Sequence, residues 1–346
     1  MKRWRWAWMA WATLLGLPLV AQEAPAYWIA GRYDSSHVVI VFDAVHYGLK
    51  PPAGAKDLPA AVAPDLYRLG EFFSVPAALA ARYQVQSRGE RFAPGDVYDL
   101  LLGNARGYYE TLTVTIVQCV GWQFDEGVGN DSYLGAVAAV KPGRFGNGLM
   151  EAPGELFVVR RHVPGEKVQS RRQAPGIMAT PPQFAVETAI GRLLERWLPT
   201  ELRRPGGVAA TMAAPLYAAL EAGRGKLRFD VQGVRLASGD IRYYVRAEWD
   251  LPPGLVPRHR VGLAMGAWLA PSPTLHIVSS SIIYTNEDDT GIADNLVPAL
   301  RNAVDLGDGA TGVILMTQGG DGFGVALCAY SDKPPLRVLS SFSAGE

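Results

Sequence analysis

Short runs of β-branched and aromatic residues recur along this chain, and most of them are bounded by turns rich in Gly, Asp or Ser. The clearest run is residues 111–122, where polar and apolar side chains alternate at the start with the period of a half-buried strand. Ser238-Gly239-Asp240 is a tight-turn sequence between the runs 226–234 and 241–249, and it predicts a β-hairpin. This pattern predicts antiparallel β-structure, which constrains the fold more than any other feature.

The order of these runs predicts an α+β chain made of two β-rich domains. Residues 22–150 are predicted to form a small barrel or sandwich, because short strands follow one another with turns between them. The Gly- and Pro-rich residues 151–182 are predicted to be a linker with one strand. Residues 183–346 are predicted to form an α+β domain, an antiparallel sheet with flanking helices. Three segments of this domain are predicted to be helical: 184–198, 213–222 and 292–304.

Composition limits the classes of protein and of partner. The chain has 346 residues, of which 49% are hydrophobic, and that is enough apolar material for a core and excludes wholesale disorder. Basic and acidic residues number 33 each, so the chain lacks the basic excess that bulk binding to nucleic acid requires.

The N-terminus has the pattern of a signal peptide. Lys2, Arg3 and Arg5 precede 15 uncharged residues, 6–20, a stretch too short for a comfortable membrane span. We expect cleavage after Ala21 and export to the periplasm or the extracellular space, with no transmembrane segment in the mature chain. An uncleaved anchor helix is the alternative.

Export changes how the two cysteines are interpreted. Cys119 and Cys328 both lie in apolar, strand-like runs. An oxidising compartment allows a bridge between them, whereas the alternative is a pair of buried thiols. The sequence leaves both possibilities open.

An acidic, glycine-containing segment follows the strand at 111–122. Asp125, Glu126, Asn130 and Asp131 place three carboxylates and an amide within seven residues, and such oxygen ligands suit calcium. The spacing differs from that of an EF-hand, and the alternative is a polar turn. Calcium is therefore a candidate ligand rather than an assigned cofactor.

A second acidic segment contains Asp305 and Asp308. It resembles the calcium loops of FG-GAP-type repeats over this segment alone, but Gly307 stands where those loops carry an acid. We add both aspartates to the calcium candidates, with a simple turn as the alternative.

No recognised catalytic motif appears: the sequence has no GxSxG elbow, Walker A loop or HExxH motif. We therefore expect an exported protein that binds an extracytoplasmic ligand or protein, or that is a structural part of the envelope. The alternative is a secreted hydrolase that uses the loop carboxylates Asp125, Glu126 and Asp131, because paired carboxylates can divide acid and base roles. Tyr243-Tyr244 is one of several aromatic pairs that would bind sugars or peptides if exposed.

Overall fold

The computed structural model consists almost entirely of antiparallel β-strands in the part of the chain that it describes. The described residues are 26–34, 36–47, 71–75, 86–87, 90–103, 109–123, 131–140, 156–165, 176–177, 188, 191–192, 218, 226–250, 259–269, 275–286, 297–307, 309–318, 322–332 and 336–345. Their strands are β1 (Tyr27–Arg32), β2 (His37–Tyr47), β3 (Glu71–Val75), β4 (Gln86–Ser87), β5 (Glu90–Arg91), β6 (Val97–Gly103), β7 (Tyr109–Gln123), β8 (Asp131–Val140), β9 (Leu156–Arg161), β10 (Gly176–Ile177), β11 (Lys226–Arg235), β12 (Ile241–Asp250), β13 (His259–Leu269), β14 (Leu275–Asn286), β15 (Ala299–Gly307), β16 (Ala310–Gln318), β17 (Gly322–Ala329) and β18 (Arg337–Gly345).

Six strands close into a barrel in the order β1-β2-β8-β7-β6-β9, and β9 pairs back with β1. β3 continues the sheet along β7 beyond the end of β6, because β6 pairs with residues 109–115 and β3 with residues 119–123. Of the two predicted architectures, a small barrel or a sandwich, the barrel is confirmed. The strand that closes it, β9, lies in the segment predicted as a linker.

Large side chains fill the barrel interior. Trp28, Tyr98 and Phe157 are each at most 1% exposed. Trp28 meets Phe92 edge-on with ring centroids 5.0 Å apart, and Phe92 stacks on Tyr98 at 5.5 Å. A barrel of so few strands has room inside only for side chains, so this interior is a packed core.

The four-stranded sheet β15-β16-β17-β18, here called the central sheet, packs on the outside of the barrel. Ile314 and Met316 of β16 belong to the cluster that contains the outward-facing barrel residue Ile29. Asn302 Nδ2 donates a buried hydrogen bond of 3.1 Å to the Leu156 carbonyl of β9. Barrel and central sheet therefore share one core.

The other face of the central sheet packs on the five-stranded sheet β10-β11-β12-β13-β14. Val313 and Leu315 alternate with the barrel-facing residues of β16 and join the cluster that contains Tyr244 and Trp268. The central sheet is thus buried on both faces, which explains the continuous apolar run 313–316. The antiparallel β-structure predicted for 183–346 is confirmed, and it divides into two sheets, because a strand apolar on both faces needs a layer on each side.

The hairpin predicted around Ser238-Gly239-Asp240 is confirmed by β11 and β12. The Leu236 N–H donates to the Asp240 carbonyl at 2.8 Å, and Gly239 adopts a φ of 90°, which favours glycine. On one face of this sheet Phe229, Val245 and Met265 form part of an apolar cluster. Gly191 lies beside this cluster, because a Cβ added to it would be 3.5 Å from the ring of Phe229.

Helical backbone occurs at only four of the described positions, which are Thr188, Gly191, Arg192 and Ala218. The rest of the predicted helices 184–198 and 213–222 lies outside the described residues, so flanking helices stay a prediction. Among the described residues no helix is long and apolar enough to cross a membrane.

The third predicted helix, 292–304, is wrong over its described part, because residues 299–304 belong to β15. A bulge between Leu300 and Asn302 interrupts the period of two along this strand. Val297, Leu300 and Val304 therefore have a spacing that resembles one face of a helix although they lie in extended chain.

Candidate functional site

The acidic residues predicted as calcium ligands are not gathered into one site. Asp305 is half-buried, and its Oδ1 accepts a hydrogen bond of 2.8 Å from the Gly307 N–H. Gly307 has a φ of 91° at the turn into β16, so the carboxylate stabilises that turn. Asp308 lies outside the described residues.

The other candidate ligands lie between the end of β7 and the start of β8 in the sequence. Asp125, Glu126 and Asn130 lie outside the described residues, and Asp131 is the first residue of β8, opposite Tyr47 of β2. No group of three or more His, Cys, Asp or Glu side chains with the geometry of a metal site occurs among the residues that the structure describes.

The two cysteines are free and buried. Cys119 belongs to the barrel interior, whereas Cys328 lies between the central and five-stranded sheets, so the bridge considered from the sequence does not form. Burial raises the pKa of both thiols, and the charge of Asp96 raises that of Cys119 further. Both behave as small apolar residues.

A buried aspartate lies on the barrel. Asp99 is 4% exposed, and its Oδ1 lies 2.7 Å from His162 Nδ1. Its Oδ2 is 3.9 Å from Arg160 Nε, which comes from the neighbouring strand β9. Because buried carboxylates require partners, we interpret this group as a clamp between β6 and the end of β9.

A second polar group joins β12 to the residues that follow β17. Asp332 Oδ1 accepts hydrogen bonds from Arg242 Nε at 3.1 Å and from the Tyr330 hydroxyl at 2.7 Å. The hydrogen bond from Arg242, followed by that from Tyr330, lowers the pKa of Asp332. Burial, and then the hydrogen bond to Asp332, raises the pKa of Tyr330. Because Asp332 satisfies both donors, the arrangement is an ion-pair network that ties two sheets together.

Five charged side chains of the described residues lie on the five-stranded sheet, on the face that the central sheet covers only in part. We call it the overhang and define it as Arg228 and Asp230 of β11 with Arg246, Glu248 and Asp250 of β12. The hairpin register places Arg228 opposite Glu248 and Asp230 opposite Arg246. Arg228 Nη2 lies 3.4 Å from Glu248 Oε2.

The overhang begins where the central sheet stops covering this face of β11 and β12. Tyr244 lies on the same face of β12, is fully buried in the cluster with the central sheet, and donates a hydrogen bond to the Pro298 carbonyl just before β15. Beyond Tyr244 the same face becomes charged, and its exposure varies: the Arg228 side chain is 55% exposed and that of Glu248 only 17%. The overhang and the start of β15 thus form a step between two layers.

Small residues on β13 allow the chain to pack closely at this step. Val297 forms a buried pair with Ala264, and one of its methyl carbons lies 3.3 Å from where a Cβ on Gly266 would be. These contacts fix the start of β15 beside the overhang. The five charged residues are carried by strands of a packed sheet, so their positions are set by the fold rather than by a mobile loop.

Sequence reasoning missed the overhang although its signal is present. Charged residues occupy every second position, at 228 and 230 before the turn and at 246, 248 and 250 after it. Counting outward from the predicted turn pairs these positions across the hairpin, with opposite charges facing each other. The aromatic pair Tyr243-Tyr244 is not an exposed platform, because Tyr244 is buried.

The chain matches no protein-family model, and comparisons with curated proteins and with solved structures find no match either.

Proposed function

We propose that the protein is exported and acts outside the cytoplasm by binding a polar ligand at the overhang. Export is supported by the basic and then apolar N-terminus, which has the order of a signal peptide. Binding is supported by one observation above all: charges of both signs, exposed to different degrees, lie on one rigid hairpin at a step between two layers. A few polar groups held in fixed positions are what orients a ligand in a binding site.

A thermal-shift screen tests this function. The mature chain from Gln22 is melted with a panel of amino acids, dipeptides and neutral or charged oligosaccharides, and at least one compound is expected to raise Tm, because a ligand that binds only the folded state stabilises it. Arg228→Gln should reduce the shift, because the weaker complex stabilises the folded state less at the same ligand concentration.

The barrel offers a matched control. Arg161 Nη2 lies 3.4 Å from Asp96 Oδ2, the same separation as between Arg228 and Glu248, and both arginines are about half-exposed. Arg161→Gln should therefore leave the ligand-dependent shift intact. A shift that is as large in Arg228→Gln as in the wild type, or a panel with no active compound, contradicts the proposal.

Hydrolysis is the second candidate function. The loop carboxylates Asp125, Glu126 and Asp131 remain candidates, and the overhang adds Glu248 and Asp250, which are two residues apart on one face of β12. Strand geometry separates such positions by about 7 Å, a spacing that suits a pair of carboxylates dividing acid and base roles. Release of reducing ends from the oligosaccharide panel, and its loss in Glu248→Gln, would favour this function over simple binding.

A further inference from the structure

We infer that the ligand of the overhang is a neutral, hydroxyl-rich molecule of the oligosaccharide class. This inference rests on the binding function proposed above and adds the chemical class of the ligand. Two observations support it. The hairpin register places the charges of the overhang opposite counter-charges, and the buried Oε1 of Gln232 beside them accepts no hydrogen bond from the described residues.

The charges on the hairpin already face their counter-charges. Arg228 lies opposite Glu248, Asp230 lies opposite Arg246, and Lys226 at the start of β11 lies opposite Asp250. The five residues of the overhang are two cations and three anions, and Lys226 supplies the third cation, so the six register positions carry no net charge. In the Arg228–Glu248 pair, an ionic ligand that displaced the arginine would leave Glu248 uncompensated, and this is costly because the Glu248 side chain is only 17% exposed. A neutral ligand leaves the pairs intact.

Paired charges retain hydrogen-bonding capacity that suits hydroxyl groups. A guanidinium has five donors and a carboxylate about four acceptor sites, more than one ion pair uses. Hydroxyl groups both donate and accept, so vicinal hydroxyls of a sugar can bridge a guanidinium and the carboxylate beside it. The positions 246, 248 and 250 repeat about every 7 Å along β12, and the paired strand lies about 5 Å away, so the hairpin presents a grid of such groups.

Gln232 provides the second observation. It follows Asp230 on the same face of β11, opposite Tyr244. Its Oε1 atom is buried and accepts no hydrogen bond from any residue in the described part of the chain. A buried acceptor without a donor is costly, and a ligand hydroxyl would supply the missing donor.

Calorimetric titration of the mature chain tests the ligand class. The probes are chitohexaose, cellohexaose and maltohexaose as neutral sugars, oligogalacturonate as an anionic sugar and chitosan hexamer as a cationic sugar. We expect a neutral hexasaccharide to bind most tightly, with a Kd that changes less than about twofold between about 0.05 and about 0.5 M NaCl, because no net charge is neutralised. Arg228→Gln and Gln232→Leu should each weaken it by about tenfold, the effect of losing one hydrogen bond to a charged or buried group.

Matched controls separate the outcomes. Arg161→Gln should bind like the wild type, and each variant is first shown to melt cooperatively. If a charged hexamer binds more tightly, weakens with salt and is lost in Arg228→Gln, the inferred ligand class is wrong while binding at the overhang stands. If no probe binds, or if the overhang variants bind like the wild type, both the inference and the proposed function fail.

Discussion

At the scale of single residues, Gly266 shows how the five-stranded sheet and the central sheet come together. A Cβ at this position would clash with the hydroxyl group of Tyr244 and crowd Val297. The Tyr244 hydroxyl needs this space because it donates to the Pro298 carbonyl, and burial raises the pKa of Tyr244, which keeps the hydroxyl protonated. The missing side chain of one glycine therefore permits the contact that fixes the start of β15.

Gly266→Ala is expected to destabilise the protein by about 1–3 kcal/mol, the usual cost of overpacking a buried site. Because the clash is with a hydroxyl oxygen, Tyr244→Phe should recover part of that loss in the double variant, although alone it loses a hydrogen bond. Chemical denaturation of the four proteins gives the coupling free energy. Strictly additive effects would show that the hydroxyl is not the group in the way.

The acids considered at this scale show why a residue type alone does not define a site. Asp305 has a carboxylate of the kind that binds calcium, yet its Oδ1 accepts a hydrogen bond from the Gly307 N–H and stabilises a turn. The overhang residues have an ordinary composition, and their significance comes from the register that brings opposite charges together. Sequence reasoning weighted local acidic density and therefore missed a pattern that spans a hairpin.

At the scale of elements, local patterns were predicted well and long-range pairings were not. The hairpin of β11 and β12 was predicted because its turn is encoded by three adjacent residues. The barrel was predicted as a class, but its closure depends on β9 pairing with β1 and β6, which are distant in sequence. The bulges of β15 break its period of two, so its apolar residues have a helix-like spacing and the sequence predicted a helix.

The network around Asp332 joins β12 to the chain after β17 and predicts a pH-dependent stability. A carboxyl group whose pKa is lowered below its ordinary 3.8 stabilises the fold above that pH and loses its contribution as the pH falls through the folded-state value. Arg242→Gln removes the main cause of the lowered pKa. The difference in unfolding free energy between wild type and variant should be largest near neutral pH and should shrink below about pH 4.

Urea denaturation of both proteins over a pH series measures this difference. Asp34→Asn is a suitable comparison, since burial opposes a low pKa for Asp34 but its hydrogen bonds from Ser36 and His37 outweigh burial. The stability that Asp34→Asn loses should likewise shrink as the pH falls, but this variant leaves the contact between Arg242 and Asp332 in place. A difference for Arg242→Gln that stays constant down to pH 3 would contradict the assignment.

Calcium binding by the segment between β7 and β8 stays a prediction. If Asp125, Glu126, Asn130 and Asp131 hold the ion, excess EDTA should lower Tm and added calcium should restore it. Asp125→Asn should then melt at the same temperature with and without calcium. A wild-type Tm that is the same in calcium and in EDTA would rule the site out.

At the scale of the whole molecule, the central sheet is the common core of three layers. β16 contributes Ile314 to the barrel side and Leu315 to the side of the five-stranded sheet. Hydrogen bonds also cross both boundaries: Tyr27 donates to the Leu306 carbonyl at 2.7 Å, and the Ala237 N–H donates to Thr311 Oγ1 at 2.7 Å. The layers should therefore unfold together.

Ile314→Ala and Leu315→Ala are each expected to cost about 2–5 kcal/mol, because both leave a cavity in a packed interior. Each should lower the stability of the whole molecule in one transition, seen alike by tryptophan fluorescence and by circular dichroism. Val338→Ala on β18 is the control, since that side chain is 56% exposed and should cost little. Two separate transitions in either core variant would show that the layers are independent.

The most direct test of the central claim is a hydrogen-exchange footprint of the mature chain with and without a saturating amount of the compound that raises Tm most in the screen. Ligand binding at the overhang predicts slower exchange in the β11–β12 hairpin and at the start of β15, with the barrel unchanged. At the same ligand concentration the Arg228→Gln variant should show less slowing than the wild type. Protection confined to the end of the barrel where β7 and β8 meet, or protection absent from β11 and β12, would contradict the account.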